Sequence, residues 1–228
     1  ELPKQYFDTV DPFVTLGKAS GVTTKLKLAT GICLVPERNP LLLAKEVATL
    51  DLISNGRFIF GIGAGWCKEE TEIMGGNFER RWSQTRESIL AMKELWTQVE
   101  SEFHGEFYDF PAVYSFPRPV QRPHPSIMLG GNARNVFKRI VEYGNGWMPT
   151  TSTVEEIRSG RATLTELADQ AGVDPRKFEI SAFHQPADPK LIEDLAANGA
   201  DRVILELRTA SEDEALTQLN GFAGKLLS

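Results

Sequence analysis

The sequence predicts an α/β protein that is built on parallel strands, and two observations carry this prediction. Apolar strand-like runs alternate almost strictly with helical segments, giving six predicted strands and seven predicted helices. Runs such as FIFGIG and RVILEL are also apolar on both faces, which is typical of parallel strands covered by helices on both sides. A doubly wound sheet and a (β/α)8 barrel both fit this pattern, although six strands are two short of a barrel.

Length and composition narrow the class of protein. With 228 residues, of which 41% are hydrophobic, the chain can form one domain over residues 1–228. The net charge of −6 argues against a nucleic-acid partner, and every apolar run is shorter than the roughly 20 residues that span a membrane. Cys33 and Cys67 form no disulfide framework, which fits the cytoplasm, and with three scattered histidines they predict no metal site.

The first four predicted elements are two helices and two strands. Asp11-Pro12 and Asn39-Pro40 each place a capping side chain before a proline at the first helical position. The predicted helices cover residues 12–20 and 41–53, and the predicted strands cover residues 25–35 and 57–65. Helix 41–53 is apolar on more than one face, which predicts a second buried surface, namely a homodimer interface. A wide stripe facing the core is the alternative.

The middle of the chain contains one strong helix and one irregular segment. Helix 81–98 places tryptophans and aliphatic residues on one face, as core packing requires. Residues 101–125 are rich in aromatic residues and prolines and lack a clear period, which predicts an ordered insertion in the domain and not a flexible linker.

Regular alternation resumes in the second half. The predicted strands there cover residues 126–129, 146–149, 178–183 and 202–207, and the predicted helices cover residues 133–143, 154–171, 190–197 and 212–227.

The strongest local sequence signal for a binding site is the stretch GIGAGWC at residues 61–67, in the first half of the chain. Its three glycines predict that a ligand or backbone approaches closely at a strand end. It is not a Rossmann fingerprint, because Trp66 stands where a glycine is needed.

Five blocks of sequence resemble one family. They are LATGICLVPERNPLLLAKEVATLDLISNGRFIFGIGAGW, FERR, FHGEFYDF, PRPVQRPHPSIMLGGN and YGNGWMP, read in order between about residues 11 and 149. The chain resembles the luciferase-like monooxygenase superfamily, and within it the branch of coenzyme F420-dependent oxidoreductases. The resemblance implies a (β/α)8 TIM barrel of the bacterial luciferase type, here incomplete at the N-terminus with six of eight strands. It also implies FMN or F420 at the C-terminal mouth, and a dimer.

The resemblance assigns the ring system of the cofactor to the ends of strands 3 and 4. It implies a cis peptide bond between Gly31 and Ile32 behind the ring, with Gly63 and Gly65 beside the ring. Without the resemblance these glycines indicate only a bulge and close packing. Trp66 stands where some relatives carry an acid, so it stacks on the cofactor or forms a rim.

The resemblance assigns the phosphate or ribityl region to the turn Gly130, Gly131 and Asn132. This turn precedes a helix, whose N-terminus favours anions. Thr150 and Thr151, which follow the next strand, are candidates to donate hydrogen bonds to the same phosphate, with Arg134 and Asn135 assisting. A plain tight turn, with Asn132 as the helix cap, is the alternative.

The resemblance leaves the catalytic residues open. Candidates are His184 and Glu206 at the ends of strands 7 and 8, and Glu69 after strand 4. The implied function is F420-dependent hydride transfer to or from a small organic substrate, with monooxygenation by reduced FMN and O2 as the alternative. Two other classes also fit: a glycosidase-type hydrolase that pairs Glu69 or Glu70 with Glu206, and a non-catalytic flavin-binding protein.

Overall fold

The computed structural model of the chain describes residue 7 and residues 9–150, 152–208 and 211–227. The chain divides into two compact units, Glu1–Ile127 and Met128–Ser228, and each is described by itself. Among the described residues, no helix combines the length and the apolar character needed to cross a membrane.

The first unit contains four helices, three parallel strands and a hairpin among its described residues. In chain order these are α1 Pro12–Val22, β1 Leu28–Ala29, β2 Cys33–Leu34, a short 3-10 helix Val35–Glu37, α2 Pro40–Ile53, β3 Phe58–Gly63, α3 Lys68–Ile73, α4 Arg81–Thr97, β4 Ser101–His104 and β5 Asp109–Val113. Both predicted caps are confirmed. The Asp11 carboxylate accepts hydrogen bonds from the amides of Phe13 and Val14, and the Asn39 side chain accepts them from Leu41 and Leu42.

The predicted strand at residues 25–35 is interrupted. Its two parts, β1 and β2, both pair in parallel with β3, with Leu28 opposite Phe58 and Cys33 opposite Ile62. Between them lies the cis peptide bond Gly31-Ile32, and the Thr30 hydroxyl donates a 2.7 Å hydrogen bond to the Gly61 carbonyl. This side-chain bond takes a β3 carbonyl that a regular ladder would use, so the expectation of one continuous strand was wrong.

Two further elements of the first unit were not predicted. Residues after β3 form helix α3 where the sequence shows only a charged loop. The aromatic insertion contains the antiparallel hairpin β4–β5, in which the rings of Phe103 and Phe110 stack 6.2 Å apart. The insertion is therefore ordered, as predicted, but it is ordered as a hairpin.

Two charged side chains are buried beneath β3. The Arg57 guanidinium donates five hydrogen bonds, to the carbonyls of Ser20, Thr23, Leu26 and Ser54 and to the Thr23 hydroxyl. The Asp51 carboxylate, fully buried, accepts hydrogen bonds from the amides of Val120 and Gln121 and from the Gln121 side chain. Arg57 thus attaches α1 to the helix–strand pair α2–β3. Asp51 attaches the segment that contains Val120 and Gln121 to the same pair.

The second unit continues the alternation of strands and helices. Its elements are β6 Ser126–Gly130, which begins in the first unit, α5 Val136–Tyr143, β7 Gly146–Met148, α6 Val154–Gln170, β8 Glu179–Gln185, α7 Pro189–Ala197, β9 Arg202–Leu205 and α8 Glu212–Leu226. β7 pairs in parallel with β6 and β8, and β8 pairs in parallel with β9. With β1 and β2 counted as one interrupted strand, the described residues contain six parallel strand positions, as predicted.

Candidate active site

The ends of β2 and β3 meet at one edge because the two strands are parallel. Gly63, the last residue of β3, lies against Ile32, since a β-carbon added at position 63 would lie 2.0 Å from Ile32 Cδ1. The missing side chain at Gly63 is therefore filled by Ile32, whose own side chain is about one third exposed at 37%. The structure brings Gly31, Ile32 and Gly63 together, as the predicted ring site requires, and the predicted cis bond is confirmed.

The turn after β3 is packed on two sides. Gly65 has a φ of +82°, a conformation that favours glycine, and an added β-carbon would lie 3.0 Å from Glu37 Oε1 and 3.1 Å from Thr71 Oγ1. The Arg81 guanidinium donates a 3.1 Å hydrogen bond to the Gly65 carbonyl. The turn presents Trp66 at the surface, where 62% of the residue is exposed.

Glu37 is a residue of this edge that sequence reasoning missed. It is half-buried at the end of the 3-10 helix, 3.1 Å from the Thr71 hydroxyl. Burial raises the pKa of Glu37, and the Glu70 carboxylate raises it further, against the lowering effects of Thr71 and Arg38. Its position three residues after the end of β2 was visible in the sequence, whereas its contact with Thr71 was not.

Two neighbours of Glu37 have structural roles. Arg38 forms ion pairs with Asp11 at 2.8 Å and with Glu46 at 3.4 Å, and Asn39 caps α2. Burial raises the pKa of the Cys33 thiol to about 12, so this cysteine is a packed apolar group and not a nucleophile.

In the second unit, the predicted glycine turn leads into α5. Gly131 has a φ of +84°, and an added β-carbon there would meet no atom within 4 Å. The turn is fixed from behind, because the Gly131 amide donates to the Met148 carbonyl and the Trp147 indole donates to the Gly131 carbonyl. The open side of Gly131 is therefore available to a ligand.

Helix α5 begins three residues later than predicted, so Asn132 is not its cap. Its N-cap is Asn135, whose side chain makes no capping hydrogen bond. A turn closed by the Val136 amide and the Ala133 carbonyl separates the glycines from the helix. A cavity of about 220 Å³ lies here, lined by residues that include Asn132, Arg134, Trp147 and Glu156.

Thr150 is exposed at the end of β7, and Thr151 lies outside the described residues. The next residue, Ser152, has a buried hydroxyl without a hydrogen-bond partner among the described residues, and its carbonyl accepts a 3.3 Å hydrogen bond from the Gln185 side chain. This places the ends of β7 and β8 side by side.

The structure brings together two of the three catalytic candidates. His184 Nε2 lies 3.5 Å from Glu206 Oε1, at the C-terminal ends of β8 and β9. His184 sits in a bulge of β8 and has a φ of +61°, which is uncommon for a residue with a side chain. The bulge turns the imidazole towards the strand end.

Glu69, the third candidate, is exposed in the first turn of α3, where a carboxylate stabilises the helix N-terminus. Glu69 and Glu70 belong to the first unit and Glu206 to the second, so the hydrolase pairing of these carboxylates stays a prediction. Among the described residues, no group of three or more histidine, cysteine or acidic side chains could hold a metal ion.

Comparison with known proteins identifies the family. The model of the luciferase-like monooxygenase family matches residues 2–215, and the chain belongs to this family. The resemblance seen in the sequence is thereby confirmed, and with it the assignment to a family of oxidoreductases.

Individual relatives use two kinds of cofactor, according to their names. The chain is 35% identical over 209 residues to the FMNH2-dependent dimethylsulfone monooxygenase of Pseudomonas putida, covering 90% of this chain and 54% of the relative. Among solved structures, monooxygenase RslO1 from Streptomyces bottropensis matches with a TM-score of 0.82 at 22% identity, over 95% of this chain and 82% of that one. An F420-dependent secondary alcohol dehydrogenase, solved with an F420–acetone adduct, matches with a TM-score of 0.75 at 18% identity, over 90% of this chain and 82% of that one. These two structures confirm the predicted luciferase-type barrel fold, with six of its strands in this chain.

Proposed function

We propose that the protein is a flavin- or deazaflavin-dependent oxidoreductase that uses coenzyme F420 to transfer a hydride to or from a small organic substrate. The observation that carries the proposal is the turn from Gly130 to Asn132 before α5. It combines open space above Gly131, a helix start without a side-chain cap, and Arg134 at the adjoining cavity. This is a site for the phosphate that both FMN and F420 contain.

The charges of the neighbouring helices favour this position over others in the same unit. The first turn of α6 carries Glu155 and Glu156, and the first turn of α8 carries three acidic residues. The first turn of α5 carries none, and Arg134 makes no hydrogen bond or ion pair with the part of the chain that the structure describes. The first turn of α5 itself therefore adds no negative charge, although Glu156 of α6 lines the adjoining cavity together with Arg134.

The ring of the cofactor has its own proposed site in the first unit. Ile32, before β2, and Trp66, after β3, are exposed apolar residues, and Ile32 Cδ1 occupies the space that a side chain at Gly63 would need. The bound cofactor supplies the hydride chemistry. The chain itself supplies an apolar surface that orients the ring and excludes water.

The pair His184–Glu206 is the proposed proton-transfer group. A histidine can hold and release a proton near neutral pH, and Glu206 Oε1 lies 3.5 Å from the Nε2 atom of His184. In the direction of substrate reduction, a protonated His184 would give its proton to the substrate oxygen. The neutral imidazole would then take up a proton from solvent, beside the partly exposed Glu206 side chain.

Monooxygenation with reduced FMN is the second candidate function. The observation that favours it is the 35% identity with an enzyme whose name states FMNH2 dependence. Both candidates use the same two proposed sites. They differ in which ring binds and in whether O2 is consumed.

The test is a binding titration with F420 and, separately, with FMN, followed by absorbance and fluorescence. Tighter binding of F420 supports the proposal, tighter binding of FMN supports the second candidate, and binding of neither overturns both. Arg134→Ala should weaken the preferred cofactor roughly 10- to 150-fold, since one charged hydrogen bond contributes about 1.5–3 kcal/mol. Arg158→Ala, which removes an exposed arginine of the same unit, is the matched control.

We also propose a substrate class, an oligomeric state and a cellular location for the protein. The substrate is a small molecule, and the active form is a homodimer through α2. Cys33 and Cys67 are both free, which supports placing the enzyme in the reducing cytoplasm.

A further inference from the structure

The hydroxyl of Thr71 faces two oxygen atoms but carries only one proton. Thr71 Oγ1 lies 3.0 Å from the Cys67 carbonyl and 3.1 Å from Glu37 Oε1, and the residue is fully buried. A carbonyl oxygen and an ionised carboxylate are both acceptors only. With Glu37 ionised, one of the two short contacts therefore joins a pair of oxygen atoms with no proton between them.

A proton on Glu37 satisfies the whole group. The Glu37 carboxyl then donates to Thr71 Oγ1, and the Thr71 hydroxyl donates to the Cys67 carbonyl, which closes the first turn of α3. The Glu37 carboxyl, the Thr71 hydroxyl and the Cys67 carbonyl then each have a hydrogen-bond partner, as buried polar groups of folded proteins generally do.

The charges around Glu37 agree with this arrangement. Glu37 lines a cavity of about 440 Å³ together with Arg38, Glu46 of α2 and Glu70 of α3. Arg38 is already engaged by Asp11 and Glu46, and its positive charge only partly offsets the burial that raises the pKa of Glu37. The Glu70 carboxylate disfavours a negative charge on Glu37 and so raises its pKa further.

We propose that Glu37 is a positioning residue, whose protonated carboxyl fastens the turn from Gly65 to Cys67 through Thr71. The two oxygen atoms that would crowd a side chain at Gly65 are those of Glu37 and Thr71, so this hydrogen-bonded pair lies directly behind the turn. The turn carries Trp66, and its other side is held by Arg81. The link to cofactor binding rests on the proposed function, whereas the link to the turn does not.

The sign of the pH effect follows from the raised pKa. A carboxyl with a raised pKa in the folded state stabilises the fold below the ordinary glutamate pKa of about 4.3, and this contribution is lost as the pH rises through the folded-state value. The turn therefore loosens as Glu37 ionises. Each unit of difference between the pKa of Glu37 in the closed turn and its pKa in the open turn corresponds to about a tenfold change in the equilibrium for opening the turn.

The test measures amide hydrogen-exchange protection of residues 66–71 against pH, in the protein without cofactor. Protection in the wild type should fall with rising pH, by about tenfold for each pKa unit of the shift. Glu37→Gln, whose amide also donates to Thr71, should give a flat profile, and Glu37→Ala should lower protection at every pH. Glu72→Gln, on an exposed part of α3, should behave as the wild type.

Two results overturn the proposal: a flat wild-type profile, or a Glu37→Gln profile with the wild-type slope. If Glu37→Gln does not fold, the pKa of Glu37 in the wild type can be measured directly from the NMR chemical shift of its carboxyl carbon as a function of pH. A measured pKa at or below the ordinary glutamate pKa refutes the raised pKa. A parallel titration of F420 and FMN should show binding that weakens over the same pH interval. Absence of cofactor binding in every variant refutes the proposed function and leaves the exchange result standing.

Discussion

At the scale of single residues, Arg57 shows how a buried charge is satisfied without a carboxylate. All five donors of its guanidinium reach carbonyl or hydroxyl oxygens, on the helix α1, the segment before β1 and the end of α2. No other side chain offers five donors in this planar arrangement. The residue therefore joins the end of α2, three residues before it, to the stretch from Ser20 to Leu26, which is more than 30 residues away in the sequence.

We predict that Arg57→Lys lowers the free energy of unfolding by about 3 kcal/mol, because lysine leaves several buried carbonyls without a donor. Urea denaturation of the variant and the wild type measures the loss. Arg176→Lys, at a side chain that is 89% exposed, should change the free energy by less than about 0.5 kcal/mol. An equal effect of the two substitutions contradicts the role given to Arg57.

At the scale of elements, one carboxylate of α4 binds three backbone amides at the tip of the hairpin β4–β5. Glu87 accepts hydrogen bonds from the amides of Glu106, Phe107 and Tyr108, at 3.0, 2.6 and 2.7 Å. Gly105 permits this approach, since an added β-carbon would lie 2.2 Å from Glu87 Oε1. Arg80 adds an ion pair with Glu106, so the tip of the hairpin is held at the start of α4.

We predict that Glu87→Gln weakens the attachment of the hairpin tip to α4. The three backbone amides at the tip use both oxygen atoms of the Glu87 carboxylate, whereas a glutamine side chain has only one oxygen that can accept hydrogen bonds. Hydrogen exchange of residues 105–108 should accelerate about tenfold or more, since a lost charge-assisted bond costs about 1.5–3 kcal/mol. Glu102→Gln, exposed on β4, should leave these amides unchanged. Unchanged exchange in Glu87→Gln would show that another contact holds the tip.

These elements also show what the sequence could predict. The starts of α1, α2 and α7 are readable because Asp11, Asn39 and Asp188 cap their own helices through bonds to residues two and three positions ahead. The break between β1 and β2 depends on a bond from Thr30 to Gly61, and the hairpin depends on Glu87. Such contacts join distant residues, so no local pattern reveals them.

The same distinction applies to the candidate site. Its glycines were readable, because a positive φ or a close approach leaves a trace in the residue type itself. Glu37 was not, because its role comes from Thr71, which lies on a helix that the sequence shows only as a charged loop. The pairing of His184 with Glu206 could be expected from the sequence, because two neighbouring parallel strands, β8 and β9, bring their C-terminal ends to the same edge of the sheet.

At the scale of the whole molecule, α2 has an apolar surface that the described chain leaves open. Leu43, Val47 and Leu50 are buried, while Leu42 and Ile53 are more than half exposed. Such exposure on a helix with a buried opposite face is typical of an interface between subunits. We propose that a second copy of the chain covers this face.

We predict a particle of about twice 25.3 kDa by light scattering after size-exclusion chromatography. Leu42→Glu should convert it to a monomer, because a buried unpaired carboxylate is strongly unfavourable. Leu216→Glu, at a residue of α8 with 51% exposure, is the matched control and should leave the dimer intact. A monomeric wild type at micromolar concentration refutes the interface.

The contact between Ile32 and Gly63 makes the floor of the proposed ring site adjustable by an exchange of volume. The isoleucine occupies the space that a side chain at position 63 would fill, so the two positions share one fixed amount of room. Moving a methyl group from position 32 to position 63 keeps the total volume, and swaps of this kind are the best tolerated in packed proteins. A designer can therefore widen or narrow the floor at these two positions while the rest of the strand packing stays as it is.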